Sequence, residues 1–152
     1  MLDPKIKQLE EMIVQQNKVI LTLQNKIELL EDKVVRLAIC KISNGNYPYY
    51  DFLLSYHITP EQQFQIKRLF MVLSEKRSGN TLPVSFKSSE SYSTDFLYED
   101  STITYNDVKN SILTILLNTD DDLPLSLITA MRDQGMQTEL CDYLISLAKN
   151  ET

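Results

Sequence analysis

The sequence predicts an all-α protein: an N-terminal coiled-coil helix, then a small helical bundle broken by a long serine-rich insertion with room for a short β-hairpin. Three observations predict it. Apolar residues keep one seven-residue register from Leu2 to Leu37. The remainder shows helical spacing bounded by readable caps. Only three glycines occur in 152 residues, too few for a loop-rich β protein.

The N-terminal segment, residues 1–42, comes first. With Ile6 at heptad position a, the a residues are Ile6, Ile13, Ile20, Ile27 and Val34, and the d residues are Leu2, Leu9, Gln16, Leu23, Leu30 and Leu37. Ten of these eleven are aliphatic. A lone amphipathic helix drifts toward a 3.6-residue period over such a length, so a sustained seven-residue repeat predicts a supercoiled partner. β-branched residues at a with leucine at d favour two parallel strands. In that arrangement Lys5 faces Glu10 of the partner helix and Lys26 faces Glu31. Each exposed pair contributes only a few tenths of a kcal/mol, so such pairs set orientation more than stability. Met12 and Val19 at g widen the stripe, which favours three or more strands, and Gln16 is a polar d residue that fixes register. The other reading of the stripe is one long helix packed on its own C-terminal domain. Agreement among a, d, e and g favours self-association.

The body, residues 43–152, begins where Ser43-Asn44-Gly45-Asn46 breaks the pattern. Pro48 suits the first turn of a helix, where its missing N–H costs nothing. Tyr49, Phe52, Leu53 and Tyr56 are spaced to face a core, and Tyr47 and Tyr50 fall at its edge. Tyr47, Pro48, Tyr49, Tyr50 and Phe52 together form the predicted coil-to-body junction. Thr59-Pro60-Glu61-Gln62 predicts a capping box, with Phe64, Ile66, Leu69, Phe70 and Leu73 as the following stripe to about Lys76. Residues 77–102 lose helical periodicity and are rich in Ser and Thr, which predicts a long loop on the body with the hairpin in it. Thr104 and Asp107 open a further helix, with Val108, Ile112, Ile115 and Leu116 inward. Asn118 to Asp122 form a turn before a helix from Pro124 to about Gln134, which Gly135 ends. Leu140, Leu144 and Leu147, with Met136 and Tyr143, define the last helix.

Two stretches resemble a known family. Tyr47-Pro48-Tyr49-Tyr50, Phe52-Leu53-Leu54 and Leu73-Ser74-Glu75 form the first. Ile103-Thr104-Tyr105-x-x-Val108 and Ala130-x-x-x-Gln134-Gly135-Met136-x-x-Glu139-Leu140 form the second, and Lys26-Ile27-Glu28-x-Leu30-Glu31 precedes both. Over residues 26–76 and 102–149 the chain resembles the YhaI-like family of small bacterial proteins of unknown function. The resemblance implies an all-helical domain that associates through its helices and brings no catalytic residues. A longer N-terminal heptad run and the serine-rich insertion depart from that family's pattern.

Charge and chemistry narrow the function classes. The net charge is −6, and residues 103–152 carry three Lys/Arg against eight Asp/Glu. Phosphate-backbone binding needs clustered Lys and Arg, so no nucleic-acid partner is expected. A DNA-associated transcriptional regulator is the disfavoured alternative. The two cysteines, Cys40 and Cys141, lie in apolar helical patterns and read as free buried thiols. His57, the single histidine, excludes a multi-histidine metal site and reads as a helix-end residue. Asp120, Asp121 and Asp122 lack the spacing of a calcium loop and read as acids before a helix N-terminus. Residues 136–150 carry Lys149 against Glu139 and Asp142, unlike a recognition helix. No phosphate loop, GxSxG elbow or HExxH occurs. No apolar run approaches the ~18 residues of a membrane span, and Met1 to Pro4 do not open a signal peptide, so a cytoplasmic location is expected. The expectation is a non-enzymatic protein without cofactor, metal or catalytic residue. It oligomerises through residues 2–41 and binds another protein as a regulator or adaptor, or as a phage- or mobile-element-encoded modulator of a host protein.

Overall fold

A computed structural model describes residues 3–43, 45–82, 92 and 94–151. Seven helices are present among them: α1 (Pro4–Ser43), α2 (Pro48–Ser55), α3 (Pro60–Arg77), α4 (Asp95–Tyr98), α5 (Tyr105–Leu116), α6 (Leu123–Asp133) and α7 (Thr138–Asn150). The all-α class and the long first helix are observed. Among the described residues there is no strand. The insertion predicted to hold the hairpin, residues 77–102, includes residues 83–91 and 93, which lie outside the described residues.

Helix α1 opens on Asp3, whose carboxylate accepts from the Lys5 N–H at 3.0 Å, with Pro4 as first helical residue. Forty residues at about 1.5 Å each give a rod about 60 Å long. Gly45, at φ 86°, takes the left-handed backbone that lets the chain turn toward α2.

Helix α3 starts with the predicted capping box. The Thr59 hydroxyl accepts from the Gln62 N–H at 3.2 Å, and the Gln62 side-chain oxygen accepts from the Thr59 N–H at 3.0 Å. Gln62 also donates to the Ile115 carbonyl at 3.2 Å, tying the start of α3 to the end of α5. Ile66, Leu69, Phe70, Val72 and Leu73 are buried. Phe64 corrects the predicted stripe, because it is 59% exposed on the outer face of α3. It lies about 140° around the helix from Leu69 at 100° per residue, so both cannot face one core.

Part of the insertion is helical rather than loop. Helix α4 buries Leu97, with Tyr92 and Thr94 also buried beside it. Lys76 holds its end, donating to the carbonyls of Phe96 and Glu99. Helix α5 is capped twice. Thr104 accepts from the Asp107 N–H at 3.2 Å, and the Glu151 carboxylate, from the far end of the chain, accepts from the N–H groups of Tyr105 (2.9 Å) and Asn106 (3.1 Å).

Helices α6 and α7 form a hairpin around Gly135, whose φ is 80°. The Met136 N–H bonds the Met131 carbonyl and the Gly135 N–H bonds the Arg132 carbonyl, both at 2.9 Å, closing the C-terminus of α6. Helix α2 packs on α6 on one side and on α1 on the other. Leu127, Ile128, Met131, Leu140 and Leu144 build the centre of the core, with α3 and α5 laid over them.

Candidate interaction surface

The heptad residues stand in solvent. Ile6, Leu9, Ile13, Ile20, Leu23, Ile27, Leu30, Val34 and Leu37 are each between 45% and 63% exposed, and Gln16 is exposed among them. Leu2 lies outside the described residues. Such exposure runs along one side of α1 from its first turn to the level of the body. Apolar side chains scattered singly on a surface need no explanation, and an aliphatic stripe this long is a candidate contact face.

The body takes a different face of the same helix. Leu29, Asp32, Lys33, Ile39 and Cys40 are half-buried and Arg36 is buried. These are heptad positions c, f and g, which lie beside and behind the a/d seam and include none of its residues. The alternative of a stripe packed on its own C-terminal domain is therefore not what is seen: Leu30, Val34 and Leu37 remain 60%, 63% and 50% exposed beside the body.

A buried polar clamp joins α1 to the body. The Arg36 guanidinium donates to both carboxylate oxygens of Asp32, one turn back, at 2.7 and 3.1 Å, and to the side-chain oxygen of Gln63 on α3. Two parallel N–H···O bonds hold the guanidinium plane fixed. Arg36 is 4% exposed, so its charge is neutralised at the site rather than by water. The Tyr49 hydroxyl lies in the field of Arg36 and beside Gln63, yet closes no hydrogen bond of ordinary geometry with a described residue. Burial pushes its phenol up to about 12, with Gln63 and Arg36 opposing the rise.

The junction residues divide as the spacing predicts, with one correction. Tyr49, Phe52 and Leu53 are buried, and Pro48 and Tyr50 are half-buried. Tyr47 is 39% exposed and stacks on Tyr50 with ring centres 5.7 Å apart. Tyr56 does not join the core. It caps the C-terminus of α2 and is 46% exposed, covering the Phe52 ring at 4.5 Å from outside. No side chain of Tyr47 caps α2. Gln134 does so from α6, accepting from the N–H groups of Tyr49 and Tyr50.

The chemically reactive side chains are dispersed. His57 is exposed, in left-handed backbone at φ 53° between α2 and α3. Cys141 is buried and donates to the Met136 carbonyl at 3.4 Å. Burial first and the Asp142 carboxylate second push its thiol up to about 12, against Arg132. Cys40 is half-buried, and burial, then a hydrogen bond and charge from Asp51, raise it to about 11. Both thiols are held in the neutral, poorly nucleophilic form. The three aspartates organise the turn before α6: Asp120 accepts from the Asp122 N–H at 3.0 Å and Asp121 pairs with Lys109 at 3.4 Å. Among the described residues no three His, Cys, Asp or Glu side chains gather as a metal ion would require. No helix among them is long and apolar enough to cross a membrane.

Fold and surface define a class: an all-helical protein whose 40-residue first helix packs on a small helical body and leaves an aliphatic seam exposed. No family model, curated protein or solved structure matches the chain.

Proposed function

We propose that the protein is a non-enzymatic interaction protein that self-associates in parallel through α1 and presents its helical body to another protein, as a regulator or adaptor. One observation carries the reading: the aliphatic a/d residues from Ile6 to Leu37 are 45% to 63% exposed along α1 while the body covers heptad positions c, f and g. A second copy covers that seam without displacing the body.

Charge gives the polarity. Every charged e residue of α1 is acidic (Asp3, Glu10, Glu31), and every charged g residue is lysine (Lys5, Lys26, Lys33). Parallel helices set g against e of the partner, lysine against carboxylate. Reversing one helix sets like flank against like, and no register then produces an attractive pair. The acidic C-terminal third suits a basic contact region on the second protein, since complementary potential steers association.

The test is the mass of the full chain in solution at micromolar concentration, beside an Ile20→Glu/Ile27→Glu variant. The expected result is a multimer for the wild type and a folded monomer for the variant. A monomeric wild type removes the proposal.

A further inference from the structure

We infer that the body takes part in self-association: Asp51 on α2 of one copy pairs with Lys41, the last seam residue of α1, in a second copy. The inference rests on the parallel self-association just proposed and adds the residues that join body to seam.

Lys41 continues the heptad register at position a, one heptad beyond Val34. It is exposed and has no ion-pair partner among the described residues. In a parallel coil the a residues of two copies face each other, so two ammonium groups meet at this level. A charged residue at a weakens the coil unless something at the same level answers it.

The flank charges do not answer it. In a parallel coil each g residue faces the partner's e residue of the next heptad. Lys26 meets Glu31 in this way, but Lys33 meets Ala38 and Cys40 meets Gly45. Glu31, the last carboxylate on the e flank, lies ten residues and about 15 Å before Lys41.

The body supplies the missing charge. Its contacts with Leu29 and Arg36 at c, and with Asp32 and Ile39 at f, lie behind the seam, whereas Cys40 at g lies beside it. The Asp51 carboxylate accepts a hydrogen bond from the Cys40 thiol. Asp51 is exposed and in no ion pair among the described residues, so it has acceptor capacity left for a cation. A residue at a enters a hole formed by four residues of the facing helix: the preceding d and g, the matching a and the following d. For Lys41 these are Leu37, Cys40, Lys41 and Asn44 of the second copy. The ammonium group therefore arrives beside the thiol that Asp51 holds.

Twofold symmetry makes the pair twice, so the two ammonium groups at this level are flanked by two carboxylates. Helix α2 packs on α6 as well as on α1. The pair thus ties each body to both helices of the coil rather than to its own alone. Two bodies held at the same end engage a partner with repeated sites together.

Sedimentation equilibrium of the full chain at low ionic strength tests this, since salt screens a pair that is partly exposed. Lys41→Glu exchanges one like-charge pair across the seam for another. Its effect on the helix end is present in the free chain too and cancels, so association changes only if Asp51 faces it. The expected result is association weakened about two- to thirtyfold, the range for two exposed ion pairs. Asp51→Lys is expected to weaken it similarly, and Lys41→Glu with Asp51→Lys to restore most of the loss. Circular dichroism verifies that each variant keeps its helices. A Lys41→Glu chain that associates like the wild type overturns the inference and leaves self-association standing. So does a double variant whose loss is the product of the two single losses. A wild type that stays monomeric at micromolar concentration removes both. Should Asp51→Lys fail to fold, Lys41→Glu decides alone, because Lys41 is exposed and outside the core.

Discussion

Gln134, the C-cap residue of α6, accepts hydrogen bonds from the backbone N–H groups of Tyr49 at 3.0 Å and Tyr50 at 3.3 Å, at the start of α2. Pro48, the first residue of α2, has no N–H, so this one side chain serves the free donors of the second and third helical positions. Its amide nitrogen meets the Met136 sulfur at 3.8 Å. Helix α2 is also the helix on which α1 packs. The bond therefore ties α6 to the helix that carries α1.

Replacing Gln134 with alanine removes the acceptor for two N–H groups and is expected to cost about 1–2 kcal/mol, the usual effect of losing a helix cap. Gln134→Glu keeps an oxygen in place and adds negative charge at a helix N-terminus, which is favourable. Urea unfolding at fixed protein concentration is the measurement, since an associating chain has concentration-dependent stability. An alanine variant as stable as wild type, or a glutamate variant as unstable as alanine, would count against the cap.

That cap also shows where sequence reading stopped. The Thr59–Gln62 box, the Thr104–Asp107 start and the Gly135 stop were legible because each is made by residues a few positions apart. Gln134 and Tyr49 are 85 positions apart, and Glu151 reaches Tyr105 across 46, so no local signal announces either. Arg36 sits at a heptad position that normally faces water, and only its i,i+4 pairing with Asp32 hinted that it is held. Tyr56 and Phe64 were placed inward by spacing and lie outward. Tyr56 falls on the cap of α2, where the helix has ended. Phe64 breaks the spacing that Ile66, Leu69 and Leu73 share. The heptad seam was legible in full as a pattern, and its free exposure could come only from the fold.

The Arg36 clamp predicts an asymmetry. Asp32→Ala leaves a guanidinium, 4% exposed, without its counter-charge. Loss of one partner of a buried pair costs up to about 3–5 kcal/mol. The Asp32 side chain is itself 28% exposed, which places the expected loss near the lower end, about 3 kcal/mol. Arg36→Met with Asp32→Ala removes both charges while keeping an apolar chain of similar length, and is expected to recover most of that loss. Urea unfolding of the two single variants and the double variant gives the coupling between the sites. A double variant no better than Asp32→Ala would mean that the aspartate acts on something other than Arg36.

Alkaline pH is expected to unfold the body through groups held protonated in the fold. Burial raises Cys141 from 9.0 to about 12 and Tyr49 from 10.0 to about 12. In each case the folded chain keeps a proton that the unfolded chain has already released. Stability is then undiminished below about pH 9 and falls as pH rises from there toward 12. Each such group adds a slope of at most about 1.4 kcal/mol per pH unit within its own window. Cys141→Ala removes its own share of the contribution that starts near pH 9 and leaves that of Cys40, which is raised from 9.0 to about 11, and Tyr49→Phe removes the one that starts near pH 10. Tyr49→Phe is further expected to leave stability at pH 7 nearly unchanged, because the hydroxyl makes no hydrogen bond with a described residue whose loss would count. Urea midpoints at pH 8, 9.5 and 10.5 for the wild type and both variants read out the slopes. A wild-type midpoint that stays flat from pH 8 to 10.5 would show that these groups titrate alike in the folded and unfolded chain, and that the core around Tyr49 and Cys141 is open to water.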